Sequence, residues 1–352
     1  MEANRVHHSE PKIRLGIMGC GAITKLKHVP IALSHPDIAI MALVDSDPER
    51  ADLLKRAFGL TCRVSNDYRA VLGDVDAVLV AVPNYLHVAV TTELLRAKVH
   101  VLCEKPLAMD ADGARQCCVA ANDSGKLLAV VAPRRFYDST VVLRTLLDER
   151  VLGTFTSYDW ENGVPFGWQS ATGFLFQKKL AGGGVLLDEG VHFLDTLQSL
   201  FGPATCLRYQ DDNWGSGIEA NALLEMEHDG PYGKIQGSLR LSRTYELKNR
   251  LLVSGDRATA EIRRSDVDKV YVSSELQGKS IVAAYQQPRP PLDAFYIQLD
   301  NFVKAIRGDE KLIVDGVAAL QTIQLIESSY QSAERFPEPW LEVHPVAVEE
   351  VR

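Results

Sequence analysis

Three polar side chains follow a run of glycines in the segment GGGVLLDEGVHFLD, residues 182–195. Asp188, His192 and Asp195 are separated by four and three residues, so on a helix they would share one face. A carboxylate beside an imidazole raises the pKa of the imidazole and fixes its tautomer, which suits a histidine that exchanges a proton near neutral pH. The pattern indicates a proton-transfer site, although a helix with a solvated acidic face and a structural histidine has the same spacing. We expect the glycines to let this helix approach a cofactor cleft.

A second candidate site is the glycine-rich turn MGCGAIT, which follows an apolar run and opens a predicted helix. Gly19 permits a tight turn, and Gly21 lets the backbone approach a pyrophosphate at the helix N-terminus. Ala22 and Ile23 complete the set expected to contact this group. Thr24 stands where the usual fingerprint has a third glycine, so the motif depends on its position between a strand and a helix.

An acidic residue follows the next apolar run at the distance expected for a ribose ligand, about 20 residues beyond the glycine-rich turn. Asp45 in that position would accept a hydrogen bond from the ribose 2′-hydroxyl and repel a 2′-phosphate. The sequence therefore favours NAD over NADP, while the nearby Arg50 leaves NADP possible. A helix cap or a turn is the alternative role for Asp45.

The elements that must position these residues alternate between apolar runs and helical patterns in the first third of the chain. The apolar runs are KIRLGIMG, IAIMALVD, DAVLVAV, HVLCEK and LLAVVAP. Near-continuous apolar strands separated by helices predict a doubly wound parallel sheet with helices on both faces. We assign residues 12–133 to this dinucleotide-binding domain.

The pattern changes beyond residue 134, where several segments alternate apolar and polar residues and turn residues separate them. These segments predict one open antiparallel sheet, followed by two helices, in an α+β domain over residues 134–352. We expect an open sheet to leave one apolar face uncovered, and such a face seeks a partner. The sequence therefore predicts a homodimer or homotetramer.

Composition excludes several function classes. The chain has 352 residues and a net charge of −8 with no basic cluster, which argues against a nucleic-acid partner. No apolar run is long enough to span a bilayer, so no membrane partner is expected. The six cysteines show no zinc spacing, which suggests reduced thiols in a cytoplasmic protein that binds no metal.

Three segments occur in a suggestive order, namely VDAVLVAVPNYLH, HVLCEKPLAMD and then GGGVLLDEGVHFLD. Together they resemble the glucose–fructose oxidoreductase / inositol dehydrogenase (Gfo/Idh/MocA) family. The resemblance extends over roughly residues 12–340. It implies a Rossmann domain followed by an open-faced sheet domain that makes oligomer contacts. It also implies a nicotinamide cofactor and a sugar or cyclitol substrate bound between the domains.

The resemblance also implies catalytic roles. Lys105 matches the lysine that holds the reacting oxygen and lies between cofactor and substrate. His192 matches the catalytic acid/base, and Asp188 matches the acid that supports both. These three residues are therefore expected to contact the substrate.

Further cofactor contacts are implied by the two preceding segments. Glu104 and Pro106 match the loop below the nicotinamide, and Pro83, Asn84 and His87 match the loop beside the nicotinamide ribose. The Lys105–Pro106 bond is a candidate cis peptide.

Other candidates carry two interpretations each. Arg134 and Arg135, at the predicted domain junction, suit a substrate phosphate or carboxylate, but equally suit backbone carbonyls or acids between the domains. Asn162 and Trp160 fall where the second domain should face the cleft. Both residue types could bind a sugar, although Trp160 could equally be a core residue. His28 suits either the cofactor region or a structural role.

The predicted function is that of an NAD(P)-dependent oxidoreductase, which moves a hydride between the nicotinamide and a secondary alcohol or ketone. Histidine supplies a base of suitable pKa, and an ammonium stabilises the developing alkoxide. Two alternatives share the fold, an NAD-dependent glycosidase and a non-catalytic sugar or dinucleotide sensor. A sensor would tend to lose Lys105 or His192, and this chain keeps both.

Overall fold

A computed structural model describes residues 11–167, 173–213, 217–276, 279–288 and 292–337. Its first sheet contains, within these ranges, six parallel strands in the order β3-β2-β1-β4-β5-β6. The strands are β1 (Ile13–Met18), β2 (Ile38–Val44), β3 (Arg63–Ser65), β4 (Ala77–Val80), β5 (His100–Cys103) and β6 (Leu128–Val130). The accompanying helices are α1 (Val29–Ser34), α2 (Pro48–Ala57), α3 (His87–Arg96) and α4 (Ala111–Ser124). The predicted doubly wound parallel sheet is confirmed.

The strand order determines where a ligand can enter this sheet. The chain winds from β1 outward to β3 and then returns past β1 to β4, so a crevice opens between the carboxyl ends of β1 and β4. The glycine-rich turn follows β1, Pro83 follows β4, and Lys105 follows β5. Three of the predicted site segments therefore lie at one edge of the sheet. The sequence did not predict β3, because its residues Arg-Val-Ser include a single apolar side chain and form no apolar run.

The second sheet has nine strands among the described residues, in the order β14-β13-β12-β11-β7-β10-β9-β8-β15. They are β7 (Phe155–Gly163), β8 (Ala204–Asp211), β9 (Asn221–Gly230), β10 (Gly233–Ser242), β11 (Arg250–Gly255), β12 (Thr259–Arg263), β13 (Asp266–Leu276), β14 (Lys279–Gln286) and β15 (Ala333–Arg335). The remaining helices are α5 (Asp138–Asp148), α6 (Lys178–Ala181), α7 (Val191–Phe201), α8 (Ala294–Arg307) and α9 (Gly316–Gln331). The sheet is mostly antiparallel, as predicted, but β7 pairs with β10 and β8 pairs with β15 in parallel.

Aromatic contacts fix the helix that carries His192 against this sheet. Tyr158 of β7 stacks on Phe201 of α7 with ring centroids 5.1 Å apart. Trp160 meets Phe193 edge to face at 4.8 Å. Both strand residues point to the same face because side chains alternate along a strand. Trp160 is therefore a core residue, which is the second of the two roles suggested by the sequence.

The opposite face of the central strands carries polar side chains on β7 and β10. Asp159 and Glu161 of β7 lie beside Ser238 and Arg240 of β10 in register. Leu223 and Leu252 lie beside Arg240 and Asp159 on the same face, so the face is mixed and the expected apolar patch remains a prediction. Antiparallel sheets with one face on the core usually alternate apolar and polar residues, and β7 and β10 follow that rule. The predicted oligomer remains a prediction.

Packing crosses the predicted boundary between residues 133 and 134. Helix α8 returns to the first sheet, where Phe302 and Val303 share a buried core with Ile17 of β1. Lys27 pairs with Asp293, just ahead of α8, at 3.1 Å. The two-domain division remains a prediction. Helix α8 lies in the second half of the sequence, but its contacts group it with the first sheet.

The described ranges of the chain contain no membrane-spanning helix, no cluster of metal ligands and no disulfide. No helix there has the length and apolar character needed to cross a bilayer. Within the same ranges, no group of three or more histidine, cysteine, aspartate or glutamate side chains is arranged to hold a metal ion. All six cysteines are free thiols. The cytoplasmic location remains a prediction.

The mixed sheet face generates a prediction about assembly. We expect light scattering to show a particle of two or four 38.9 kDa chains at micromolar concentration. Arg240→Glu reverses a charge at the centre of the face and should shift the equilibrium toward smaller particles. Arg115→Glu, on the exposed side of α4, should leave the mass unchanged. A single-chain mass for the unmodified protein would contradict the prediction.

Candidate active site

The glycine-rich turn after β1 has the geometry of a dinucleotide cradle. Gly19 has φ +90°, and a Cβ there would overlap the carbonyl oxygen of Ala81. A Cβ on Gly21 would meet no atom within 4 Å, so the turn faces open space there. Thr24, fully buried, donates a hydrogen bond of 2.6 Å to the Gly19 carbonyl and closes the turn. The residues therefore fit a pyrophosphate that approaches the backbone at Gly21.

Ala22 and Ile23 form the first helical residues after this turn, where backbone N–H groups lack partners within the helix. Asp45 lies beside the turn and is buried. Its carboxylate accepts hydrogen bonds from the backbone N–H of Cys20 at 2.8 Å and of Asp47 at 3.0 Å. The cap of α2 is Asp47, not Asp45. Asp45 thus combines a turn contact with the position expected of a ribose acceptor.

An ion-paired network joins the two halves of the chain. The Lys105 Nζ donates to the Asp188 Oδ1 at 2.7 Å and to the Asp188 carbonyl oxygen at 2.8 Å. Arg243, which follows β10, pairs with the other carboxylate oxygen of Asp188. The Lys105–Pro106 peptide bond is cis. Sequence reasoning missed Arg243, because a single arginine after a strand carries no spacing signal that relates it to Asp188.

The network keeps its members ionised. Burial opposes the charge on Asp188, but Lys105 and Arg243 lower the pKa of that carboxyl to about 2. Burial also disfavours the charged form of Lys105, yet Asp188 and Glu189 raise the pKa of its ammonium above the ordinary value. An ammonium and a carboxylate therefore stand together at neutral pH.

His192 is next to this network, and it lines one narrow cavity together with Lys105 and Asp195. Burial lowers the pKa of His192 well below its ordinary value, and the charges of Lys105 and Arg134 lower it further. Asp188 acts in the opposite direction but is outweighed. The expected effect of the carboxylate is therefore present, but the net pKa is lowered and not raised. The imidazole is neutral at pH 7 and available as a proton acceptor.

Asp195 binds Arg135 and not His192. Arg135 holds it through two hydrogen bonds, from Nε at 2.7 Å and from Nη2 at 2.6 Å. The same guanidinium donates to the Ile313 carbonyl at 3.2 Å. Arg135 thus takes the second of its two suggested roles, binding an acid and a backbone carbonyl between elements. We do not retain it as a substrate ligand.

The three glycines ahead of His192 serve packing within the protein. A Cβ on Gly182 would lie 2.7 Å from the Cβ of Met109. A Cβ on Gly183 would overlap the Tyr330 hydroxyl, and one on Gly184 would overlap the Glu219 backbone. The expectation that these glycines approach the cofactor is therefore corrected.

Glu219 anchors the segment that presents Asp188. Its buried carboxylate accepts hydrogen bonds from the backbone N–H of Gly184 at 3.0 Å and of Leu186 at 2.8 Å, and from the Tyr330 hydroxyl at 2.8 Å. A turn of π-helix over Leu186–Gly190 then leads into α7. Satisfied backbone donors at a helix start fix its direction. Glu219 is a second residue that sequence reasoning missed.

The loop after β5 is held from the cofactor side by a buried pair. The Nε2 atom of His28 lies 2.7 Å from the Glu104 Oε1, and both side chains are buried. Burial raises the pKa of Glu104, but the hydrogen bond and charge of His28 bring it below the ordinary value. Of the two roles suggested for His28, the structure favours the structural one.

The segment after β4 joins neighbouring loops. The Asn84 Nδ2 donates to the Ala181 carbonyl at 3.0 Å, which links the first sheet to the second half. His87 is buried, with its Nδ1 2.7 Å from the Pro106 carbonyl oxygen and its Nε2 2.8 Å from that of Val82. Pro83 lies between these contacts. Cofactor contacts by Pro83, Asn84 and His87 remain predictions.

Comparison with known proteins adds the family. Residues 13–132 match the NAD-binding Rossmann-fold model of the GFO_IDH_MocA oxidoreductase family, and residues 144–337 match its C-terminal alpha/beta domain. The chain is 28% identical to the D-glucoside 3-dehydrogenase of Escherichia coli (strain K12), over 92% of this chain and 95% of that protein. It is 25% identical to the inositol 2-dehydrogenase of Rhizobium meliloti (strain 1021), over 91% and 96%. The resemblance inferred from sequence is confirmed.

Solved structures share the fold. A 3-ketoreductase from Actinomadura kijaniata, in complex with NADP and TDP-benzene, superposes with a TM-score of 0.80 at 22% identity, over 93% of this chain and all of that one. A levoglucosan dehydrogenase in complex with NADH and levoglucosan gives 0.81 at 18% identity, over 91% and 97%.

Two glycines with opposite surroundings generate a prediction. Gly184→Ala should reduce the free energy of unfolding by about 1–3 kcal/mol, because the methyl group overlaps the backbone of Glu219. Gly21→Ala should leave stability unchanged but weaken NAD binding, since its methyl group points into the open cradle. Denaturant titration and calorimetry measure the two effects. Equal loss of stability in both variants would contradict this assignment.

Proposed function

The chain belongs to the Gfo/Idh/MocA oxidoreductase family, and we propose that its substrate is a sugar, sugar derivative or cyclitol. In this proposal a secondary alcohol or ketone of that substrate exchanges a hydride with the nicotinamide. The observation that carries the proposal is the Lys105–Asp188 ion pair beside a neutral His192. The names of the relatives, which include a glucoside dehydrogenase and an inositol dehydrogenase, support the substrate class.

The cofactor supplies the hydride acceptor or donor, and the protein positions the substrate and moves the proton. In the oxidative direction, the neutral imidazole of His192 accepts the hydroxyl proton as the carbon gives up its hydride. The Lys105 ammonium, held in place by Asp188, donates a hydrogen bond to the same oxygen and stabilises the developing negative charge. In the reductive direction the protonated imidazole returns the proton to the carbonyl oxygen.

We assign the cofactor to the turn at Gly19 and Gly21 with Asp45 at the ribose. Asp45 favours NAD because a carboxylate repels a 2′-phosphate. The Arg50 Nη1 is 4.0 Å from the Asp45 Oδ1, so a guanidinium stands near enough to leave NADP possible. Asn162, at the end of β7, remains a proposed substrate ligand.

The deciding experiment measures oxidation of a panel of sugars and inositols with NAD and NADP. We expect net NADH formation with at least one substrate, and a preference for NAD. His192→Ala should reduce turnover by roughly 10²–10⁴, with nearly unchanged NAD affinity by calorimetry. A glycosidase would cleave its substrate with no net NADH, and a sensor would bind without turnover. Near-unchanged turnover in His192→Ala would contradict the assigned base.

The charges around His192 generate a pH prediction. The low pKa of the imidazole places the acid limb of kcat/KM for oxidation below pH 6.5, where activity rises as His192 loses its proton. Asp188→Asn removes the charge that raises this pKa, so the limb should move to lower pH. Arg134→Met removes a charge that lowers it, so the limb should move to higher pH. Shifts in the same direction for both variants would contradict the assignment of this limb to His192.

A further inference from the structure

A narrow cavity lies beside the candidate active site, between α7, the end of β7 and the turn after β12. Its described lining contains four arginines and no aspartate or glutamate. This is unusual in a chain with 46 acidic and 38 basic residues. The arginines are Arg134, Arg250, Arg263 and Arg264. A lining of one charge sign favours a ligand of the opposite sign.

Two of the arginines already have a counter-charge. Glu261 accepts from Arg250 at 3.4 Å and from Arg263 at 2.9 Å. Arg134 and Arg264 differ, because neither forms an ion pair or a side-chain hydrogen bond with any residue that the structure describes. Arg134 instead lies over the ring of Phe193, with its guanidinium carbon 4.2 Å from the ring centroid. These two guanidinium groups therefore keep their donors available.

The two groups repel each other. Burial lowers the pKa of Arg134, the charge of Arg264 lowers it further, and Tyr137 and Glu189 act in the opposite direction. Both guanidinium groups line the same cavity, where Arg134 is half-buried and Arg264 is exposed. An oxyanion between them would remove this repulsion and accept the charge-assisted hydrogen bonds that a guanidinium favours.

The cavity is positioned to receive part of a substrate whose reacting group is at His192. Thr196 lines it and lies one helical turn beyond His192 on α7. Arg134 belongs to the lining and also lies close enough to His192 to affect its charge. Asn162 lines the same space, and its side chain makes no hydrogen bond to the described part of the chain.

We propose that Arg134 and Arg264 bind an oxyanion carried by the substrate, while its reacting hydroxyl lies between Lys105 and His192. The substrate would then be an anionic sugar, with a carboxylate or a phosphate as the charged group. This inference rests on the proposed function and narrows its substrate class. The planar guanidinium of Arg134 suits two-point contact with such a group.

The first test measures binding without turnover. Inorganic phosphate is titrated calorimetrically into the enzyme saturated with NAD, so that the pyrophosphate cradle is filled. We expect binding that weakens with added NaCl. Arg264→Gln and Arg134→Met should each weaken it about tenfold or more, the value of a lost charged hydrogen bond. Arg115→Gln, on the exposed side of α4, should bind phosphate as the unmodified protein does.

The second test compares glucose, glucuronate and glucose 6-phosphate as substrates with NAD. At least one anionic sugar should have a KM about tenfold or more below that of glucose, and the favoured one identifies the charged group. Arg264→Gln should raise that KM about tenfold and so remove the preference over glucose, while Arg115→Gln should leave the KM of both sugars unchanged. Oxidation of glucose with no advantage for either anion, and no phosphate binding, overturns the inference but not the oxidoreductase function. Phosphate binding without oxidation of any compound in the panel of sugars and inositols supports the anion site and overturns the proposed function.

Discussion

The ion pair between Lys105 and Asp188 is the interaction on which the site depends. Its two members come from different halves of the chain, one after a parallel strand and one at the start of a helix that packs on the second sheet. A half-buried charge without its partner is strongly destabilising, so both segments must be held in register. His87 does this on one side by contacting the Pro106 carbonyl, and Glu219 does it on the other.

The same pair determines the protonation state of His192. Asp188 divides its carboxylate between Lys105 and Arg243, so little of its negative charge is left to stabilise an imidazolium. Burial and two nearby cations then keep the ring neutral. A neutral imidazole beside a fixed ammonium separates two roles that a single residue would fill poorly. One group accepts a proton, and the other stabilises the charge that remains on the oxygen.

Contacts made by His28 connect the loop that carries Lys105 to the rest of the fold. His28 holds Glu104, directly before Lys105, and its ring meets that of Phe295 edge to face at 5.7 Å. Phe295 belongs to α8, which returns from the second half to cover the first sheet. The loop that carries Lys105 is therefore fixed by a helix nearly 200 residues further along the chain. This explains why a simple linear division of the chain does not describe its packing.

The sequence by itself determined the parallel sheet, the glycine-rich turn and the position of Asp45, and the family resemblance singled out Lys105, Asp188 and His192 as candidate site residues. These features depend on short-range patterns. Apolar runs define the strands, and the glycine-rich turn, Asp45 and Lys105 lie just beyond them, whereas helical spacing relates Asp188 to His192. The tertiary structure decided the partners. Arg243 and Glu219 are 55 and 31 residues from Asp188, so no periodicity relates them to it. Helical spacing predicted that Asp195 would act on His192, but its carboxylate is bound by Arg135. The pKa of the His192 imidazole was expected to be raised, and burial lowers it instead. The protonation state of a buried side chain depends on the charges of all the elements that pack around it. Those elements come together only in the folded chain, so the sequence pattern does not reveal them.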